Sequence, residues 1–143
     1  MTTIVVGYVP NAEGRAALRR AAEEATLRDA KLVVVNSHRG GRAFARDEAV
    51  ASEAALTEVR EQLDSTGVPY EVRQLVRGLD PAEDLVAVAE QVHAEFIVIG
   101  LRRRTPVGKL ILGSNAQRIL LDAPCPVLAV KADSDDDELG GGE

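Results

Sequence analysis

The strongest constraint on this chain is a change of hydrophobic period that recurs along it. TTIVVGYV (Thr2–Val9) and KLVVVNS (Lys31–Ser37) are nearly unbroken runs of β-branched and apolar residues, as expected of strands covered on both faces. Between them the pattern turns helical. Ala12–Arg28 sets Leu18, Ala21, Ala22 and Ala25 on one side and Arg19, Arg20, Glu23 and Glu24 on the other. A polar link, HRGGR, then leads into a helix from about Phe44 to Ser65, with Leu56, Val59 and Leu63 as its apolar stripe and Gly67 as its stop.

The alternation continues to the end of the chain. YEVRQLV (Tyr70–Val76) mixes polar and apolar positions and is expected at a sheet edge, where one face is partly wet. Asp80-Pro81-Ala82-Glu83 reads as a helix start: Asp80 caps, Pro81 suits the first helical position, and Glu83 returns the bond of a capping box. Ala82, Leu85, Val86, Ala89 and Val92 carry that helix at helical spacing. EFIVIG (Glu95–Gly100) is a buried strand, Ser114 to Asp122 a last helix, and PCPVLAVK (Pro124–Lys131) a last strand. Strands that alternate with helices need right-handed crossovers. The expected fold is therefore α/β: a single doubly wound domain over residues 1–132, with a five-stranded, mostly parallel sheet and helices on both faces. The acidic stretch DSDDDELGGGE (133–143) repels itself and buries nothing, so it is expected to be a disordered tail.

Composition excludes several functions. A net charge of −6 opposes general affinity for nucleic acid, and 3% aromatic residues leave little on which to stack single-stranded bases. No apolar run approaches the roughly 20 residues that span a bilayer, so no membrane role is expected. The amino terminus has no basic residue ahead of its apolar run, and the single cysteine, Cys125, has no internal partner. A cytoplasmic protein is the expectation.

In a doubly wound sheet, ligands bind beyond the carboxyl ends of the strands, where strand order reverses. Two loops qualify: Gly7-Tyr8-Val9-Pro10-Asn11, and IGLRRRTPVGKLILGSN from Ile99 to Asn115. The second leaves a strand at Gly100 and enters a helix at Gly113-Ser114-Asn115. The free N–H groups and positive dipole of a helix start favour phosphate. Gly113 allows close approach, the Ser114 hydroxyl can add a bond, and Arg102, Arg103, Arg104 and Lys109 raise the local potential. This is not a Walker A loop, because Arg103 stands five residues before Gly108 and Leu110 replaces the magnesium-binding hydroxyl. The same residues also admit a plainer reading, in which Gly113 and Ser114 cap a helix and the arginines are merely solvated.

Other candidates read as structural. His38 and His93 lack the companions of a metal site. Cys125, between Pro124 and Pro126, is a small packing residue with no base beside it. Asp80 and Glu83 are explained as a cap. With no base, nucleophile or metal set assembled, any hydrolysis is expected to be slow.

The segment GLRRRTPVGKLILGSNAQRIL followed by APCPVLAVK resembles the carboxyl-terminal signature of the universal stress protein family. IVVGYVPNAEGRAAL resembles the family's first strand and helix, and the order of elements agrees from about Thr2 to Lys131. The resemblance implies the adenine nucleotide α-hydrolase-like fold and a regulatory role in the stress response. It further implies binding of ATP or a related adenine nucleotide, with Mg2+ accompanying it, and a homodimer formed through the last strand, Pro126–Lys131, whose state other proteins read. Gly100, Gly113 and Ser114 match the family's phosphate motif, with Asn115 beside them. Arg103 occupies the place of its second glycine, where its bulk either blocks the pocket or its guanidinium turns to the phosphates. Gly7, Tyr8, Val9, Val35 and Ile99 are implied to border the adenosine, although Val9 stands where binding members carry an acid. The alternative is a nucleotide-free dimer acting as an interaction scaffold, its pocket closed by Arg103 and Val9.

Overall fold

The structure, a computed structural model, describes residues 1–38, 46–76, 80–101 and 112–132. Its elements run β1 (Thr3–Gly7), α1 (Ala12–Arg28), β2 (Lys31–His38), α2 (Arg46–Asp64), β3 (Tyr70–Val76), α3 (Pro81–Val92), β4 (Phe96–Leu101), α4 (Ser114–Asp122) and β5 (Val127–Lys131). The strands form one sheet in the order β3-β2-β1-β4-β5, parallel throughout. Chain order reverses between β1 and β4, which makes that the switch point of the doubly wound fold. β3 lies at one edge, as its mixed pattern predicts, and β5 at the other.

Strand alternation divides the core in two. Ile4, Val6, Leu32, Val34 and Val98 pack against α1 and α2, where Leu18, Ala21, Val59 and Leu63 meet them. Val5, Val33, Val35, Ile97 and Ile99 pack against α3 and α4 through Leu85, Val88 and Ile119. The three interior strands, β2, β1 and β4, are apolar at consecutive positions because both faces are covered.

Local chemistry explains the boundaries. Asn11 caps α1 by accepting from Gly14 N–H at 2.9 Å, and Asp80 caps α3 by accepting from Ala82 N–H at 3.0 Å. Glu83, expected to complete a capping box, instead lies 3.6 Å from Arg118 of α4. α1 and α3 end on Asp29 and His93 in the left-handed region, with φ of 56° and 53°, each returning its N–H to the last turn. β5 begins at Val127 rather than Pro124, because Pro124 and Pro126 have no N–H for the ladder. Pro126 still contributes its carbonyl, which accepts from Ile97 N–H at 3.0 Å. The acidic stretch 133–143 lies outside the described residues.

Candidate functional site

A cavity of about 510 Å3 opens at the carboxyl edge of the sheet, over the switch point, within the usual size range of small-molecule sites. Strand ends supply Gly7, Val35, Ser37, Ile99, Gly100 and Leu101, and the loop after β1 supplies Tyr8 and Val9. The first turn of α1 adds Glu13 and Gly14; α3 adds Pro81, Ala82 and Leu85; α4 contributes Asn115, Ala116 and Ile119, with Gly113 at its start. The lining is mainly apolar, with polar groups concentrated at the helix starts.

Three helices thus begin at the same cavity: α1, capped by Asn11, and α3 and α4, whose beginnings differ. That of α3 is closed by the Asp80 carboxylate, which also binds Arg118 Nη1 at 2.7 Å, and its first turn holds Glu83 and Asp84. That of α4 starts from Gly113 without a side-chain cap, and no acid stands in its first turn. Its first backbone bond is Gln117 N–H to the Gly113 carbonyl, 3.0 Å. The N–H groups of Ser114, Asn115 and Ala116 have no partner among the described residues. Such a terminus presents donors and a positive dipole end to whatever occupies the cavity.

The glycines divide in a similar way. A Cβ on Gly100 would stand 2.1 Å from the Glu13 carbonyl oxygen, so the fold itself requires glycine where the backbone of α1 crosses β4. Gly14 is under the same demand, 1.8 Å from the Val9 carbonyl oxygen. A Cβ on Gly113 would meet nothing within 4 Å among the described residues, and its φ of −73° suits any residue. Packing among the described residues gives Gly113 no reason to be glycine.

Every described residue of the sequence-derived site except Ser114 lines this cavity, namely Gly7, Tyr8, Val9, Val35, Ile99, Gly100, Gly113 and Asn115. Ser114 is exposed beside them at the start of α4. Arg103, with Arg102, Arg104 and Lys109, lies outside the described residues. The ring of Tyr8 belongs to the core beneath α1, on the other side of the sheet. Its hydroxyl is buried, and the polar group that faces it is the Arg15 side chain of α1. Burial, helped by the charge of Glu58 and opposed by Arg15, raises its proton affinity.

The sequence reading missed Ser37 and the α3 wall of Pro81, Ala82 and Leu85. Ser37 carries a signal, since it follows Val35 by two residues and so faces the same way. The α3 wall follows from the loop rule applied to β3, whose carboxyl end delivers the chain to the same edge of the sheet. Among the described residues there is no group of three or more His, Cys, Asp or Glu that could hold a metal ion. No helix of the described residues is long and apolar enough to cross a membrane.

The sequence pattern of the universal stress protein family matches residues 1–131. The chain belongs to the universal stress protein family. A universal stress protein of Mycolicibacterium smegmatis is 48% identical over 128 residues, covering 90% of this chain and 96% of that one. Among solved structures, the universal stress protein from Archaeoglobus fulgidus has a TM-score of 0.81 at 38% identity, covering 92% of this chain and 99% of the other. A structure of the universal stress protein from Archaeoglobus fulgidus in complex with dAMP has a TM-score of 0.75 at 33% identity, with 92% and 98% coverage.

Proposed function

We propose that this universal stress protein binds ATP or a related adenine nucleotide in the cavity and works as a homodimeric regulator whose state the nucleotide sets. The observation that carries the reading is the uncapped start of α4, opening on a nucleotide-sized cavity through a glycine that packing among the described residues does not require. The dAMP complex of a relative at 33% identity supports the ligand class.

In this reading the phosphates meet the N–H groups after Gly113, the Ser114 hydroxyl and Asn115, with Gly100 behind them and Arg103 adding charge. The adenosine lies against Gly7, Val9, Val35 and Ile99, over the backbone of Tyr8. Mg2+ arrives as the counter-ion of the nucleotide's own phosphates. The dimer forms along β5, whose outer edge is free among the described residues and alternates half-buried Val127, Leu128 and Val130 with exposed Ala129 and Lys131. The protein acts in the cytoplasm through protein partners, and any ATP hydrolysis is slow.

Calorimetric titration of the intact chain with ATP, together with mass spectrometry of nucleotide released on denaturation, tests the binding. Micromolar affinity or co-purified adenine nucleotide is the expected result; no heat at millimolar ATP would sink the reading. Sedimentation velocity tests the dimer, and a monomer at tens of micromolar chain would remove that part.

A second reading, a nucleotide-free scaffold, is favoured by Val9, which is 44% exposed at the cavity and brings no polar group. An Arg103→Gly, Val9→Asp double variant separates the two. A gain of ATP binding absent from the parent supports the scaffold.

A further inference from the structure

Ser37 is the next-to-last residue of β2 and lines the cavity beside Val35, Ala82 and Leu85. It lies two strands from β4, roughly 9–10 Å across the sheet, and so at the end of the cavity remote from β4 and the start of α4. Its hydroxyl donates a hydrogen bond to Oδ2 of Asp84. Asp84 is only 1% exposed and sits in the first turn of α3, where the positive helix end favours a carboxylate. Its other oxygen, Oδ1, is buried with no hydrogen-bond partner among the described residues.

An ionised carboxylate accepts only, and a serine hydroxyl has a single proton and two lone pairs. With that proton committed to Asp84, Ser37 can offer the cavity nothing but lone pairs. It therefore accepts from a ligand and cannot donate to one. We propose that Ser37, oriented by Asp84, reads the base: it accepts from the exocyclic amine of adenine and disfavours purines with a carbonyl at that position. There two acceptors would face each other in a desolvated site, a mismatch that costs more than a missing contact. Ser37 is the contacting residue and Asp84 a positioning residue. This inference rests on the adenine-nucleotide reading of the cavity.

The test is calorimetry of the intact chain with AMP, IMP and purine riboside 5′-monophosphate, which lacks the exocyclic group altogether. AMP is expected to bind about tenfold to a hundredfold tighter than IMP, with the unsubstituted purine between them. Ser37→Ala should bring AMP and IMP to within about threefold of each other. Asp84→Asn keeps the shape but lets the amide donate to Ser37, releasing the hydroxyl proton toward the cavity, so preference should shift toward IMP. Equal binding of AMP and IMP by the parent, or a folded Ser37→Ala that keeps the parent's preference, would overturn the inference and leave nucleotide binding intact. Binding of none of the three overturns both. If Asp84→Asn does not fold, the parent series and Ser37→Ala decide alone.

Discussion

α3 and α4 start at the same cavity and were prepared for different neighbours. α3 is self-sufficient: Asp80 accepts from its first turn, Pro81 removes one orphan N–H, and Glu83 and Asp84 place negative charge at the positive pole. α4 has none of these devices. Both helices pack on the same core, so burial does not explain the difference. A capped terminus is electrically quiet and suits an uncharged group, whereas an uncapped one remains a site for an anion. The cavity is thus polarised along its length before any ligand enters it.

The strongest way to break that contrast is to give α4 the cap it lacks. Gly113→Asp should weaken ATP binding by about a hundredfold, through a lost set of charge-assisted bonds and a new like charge. Urea unfolding of the same variant should show stability unchanged or higher by a few tenths of a kcal/mol, because Asp is a better cap than Gly. Equal loss of both would mean that Gly113 serves the fold. The reverse change, Asp80→Ala, strips α3 of its cap and should lower stability by about 1–2 kcal/mol in the same unfolding assay. Ser114→Ala should weaken ATP about threefold to tenfold in calorimetry, and, since Ser114 is exposed, leave the melting temperature in place. The smallest effect belongs to Arg118→Ala, which cuts the tie between Asp80 and α4. Both side chains are partly exposed, at 45% and 29%, so the loss should be below about 1 kcal/mol and should shrink in high salt.

Much of this contrast was legible before the fold was known. The first turn of α3 could be read from Asp80-Pro81 because capping is a local exchange within a few residues. α4 could be read from Gly113-Ser114 for the same reason, and the bounds of both helices agree with the structure. What eluded the sequence was contact across the sheet. Nothing near Gly100 in the chain announces that the Glu13 carbonyl will lie against it, eighty-odd residues apart. Nor does GYV reveal that Tyr8 turns its ring to the α1 side while its neighbours line the cavity. The role of Ser37 was hidden likewise, since its partner Asp84 is 47 residues away. Strand ends differ from the sequence expectation by one to three residues: β1 stops at Gly7 although apolar sequence runs on to Val9, β2 and β4 run one residue further, to His38 and Leu101, and at Pro124 and Pro126 a missing N–H sets the limit.

Two of the cavity's glycines, Gly100 and Gly113, carry a consequence for descent. Gly100 answers to the backbone of α1, so a lineage of this protein that abandoned its ligand would keep it. Gly113 answers to no packing demand among the described residues, so the same lineage could drift there more freely. A glycine at the first position therefore records only inheritance of the fold, while under the proposed nucleotide reading a glycine at the second would mark a lineage in which the anion site is still used.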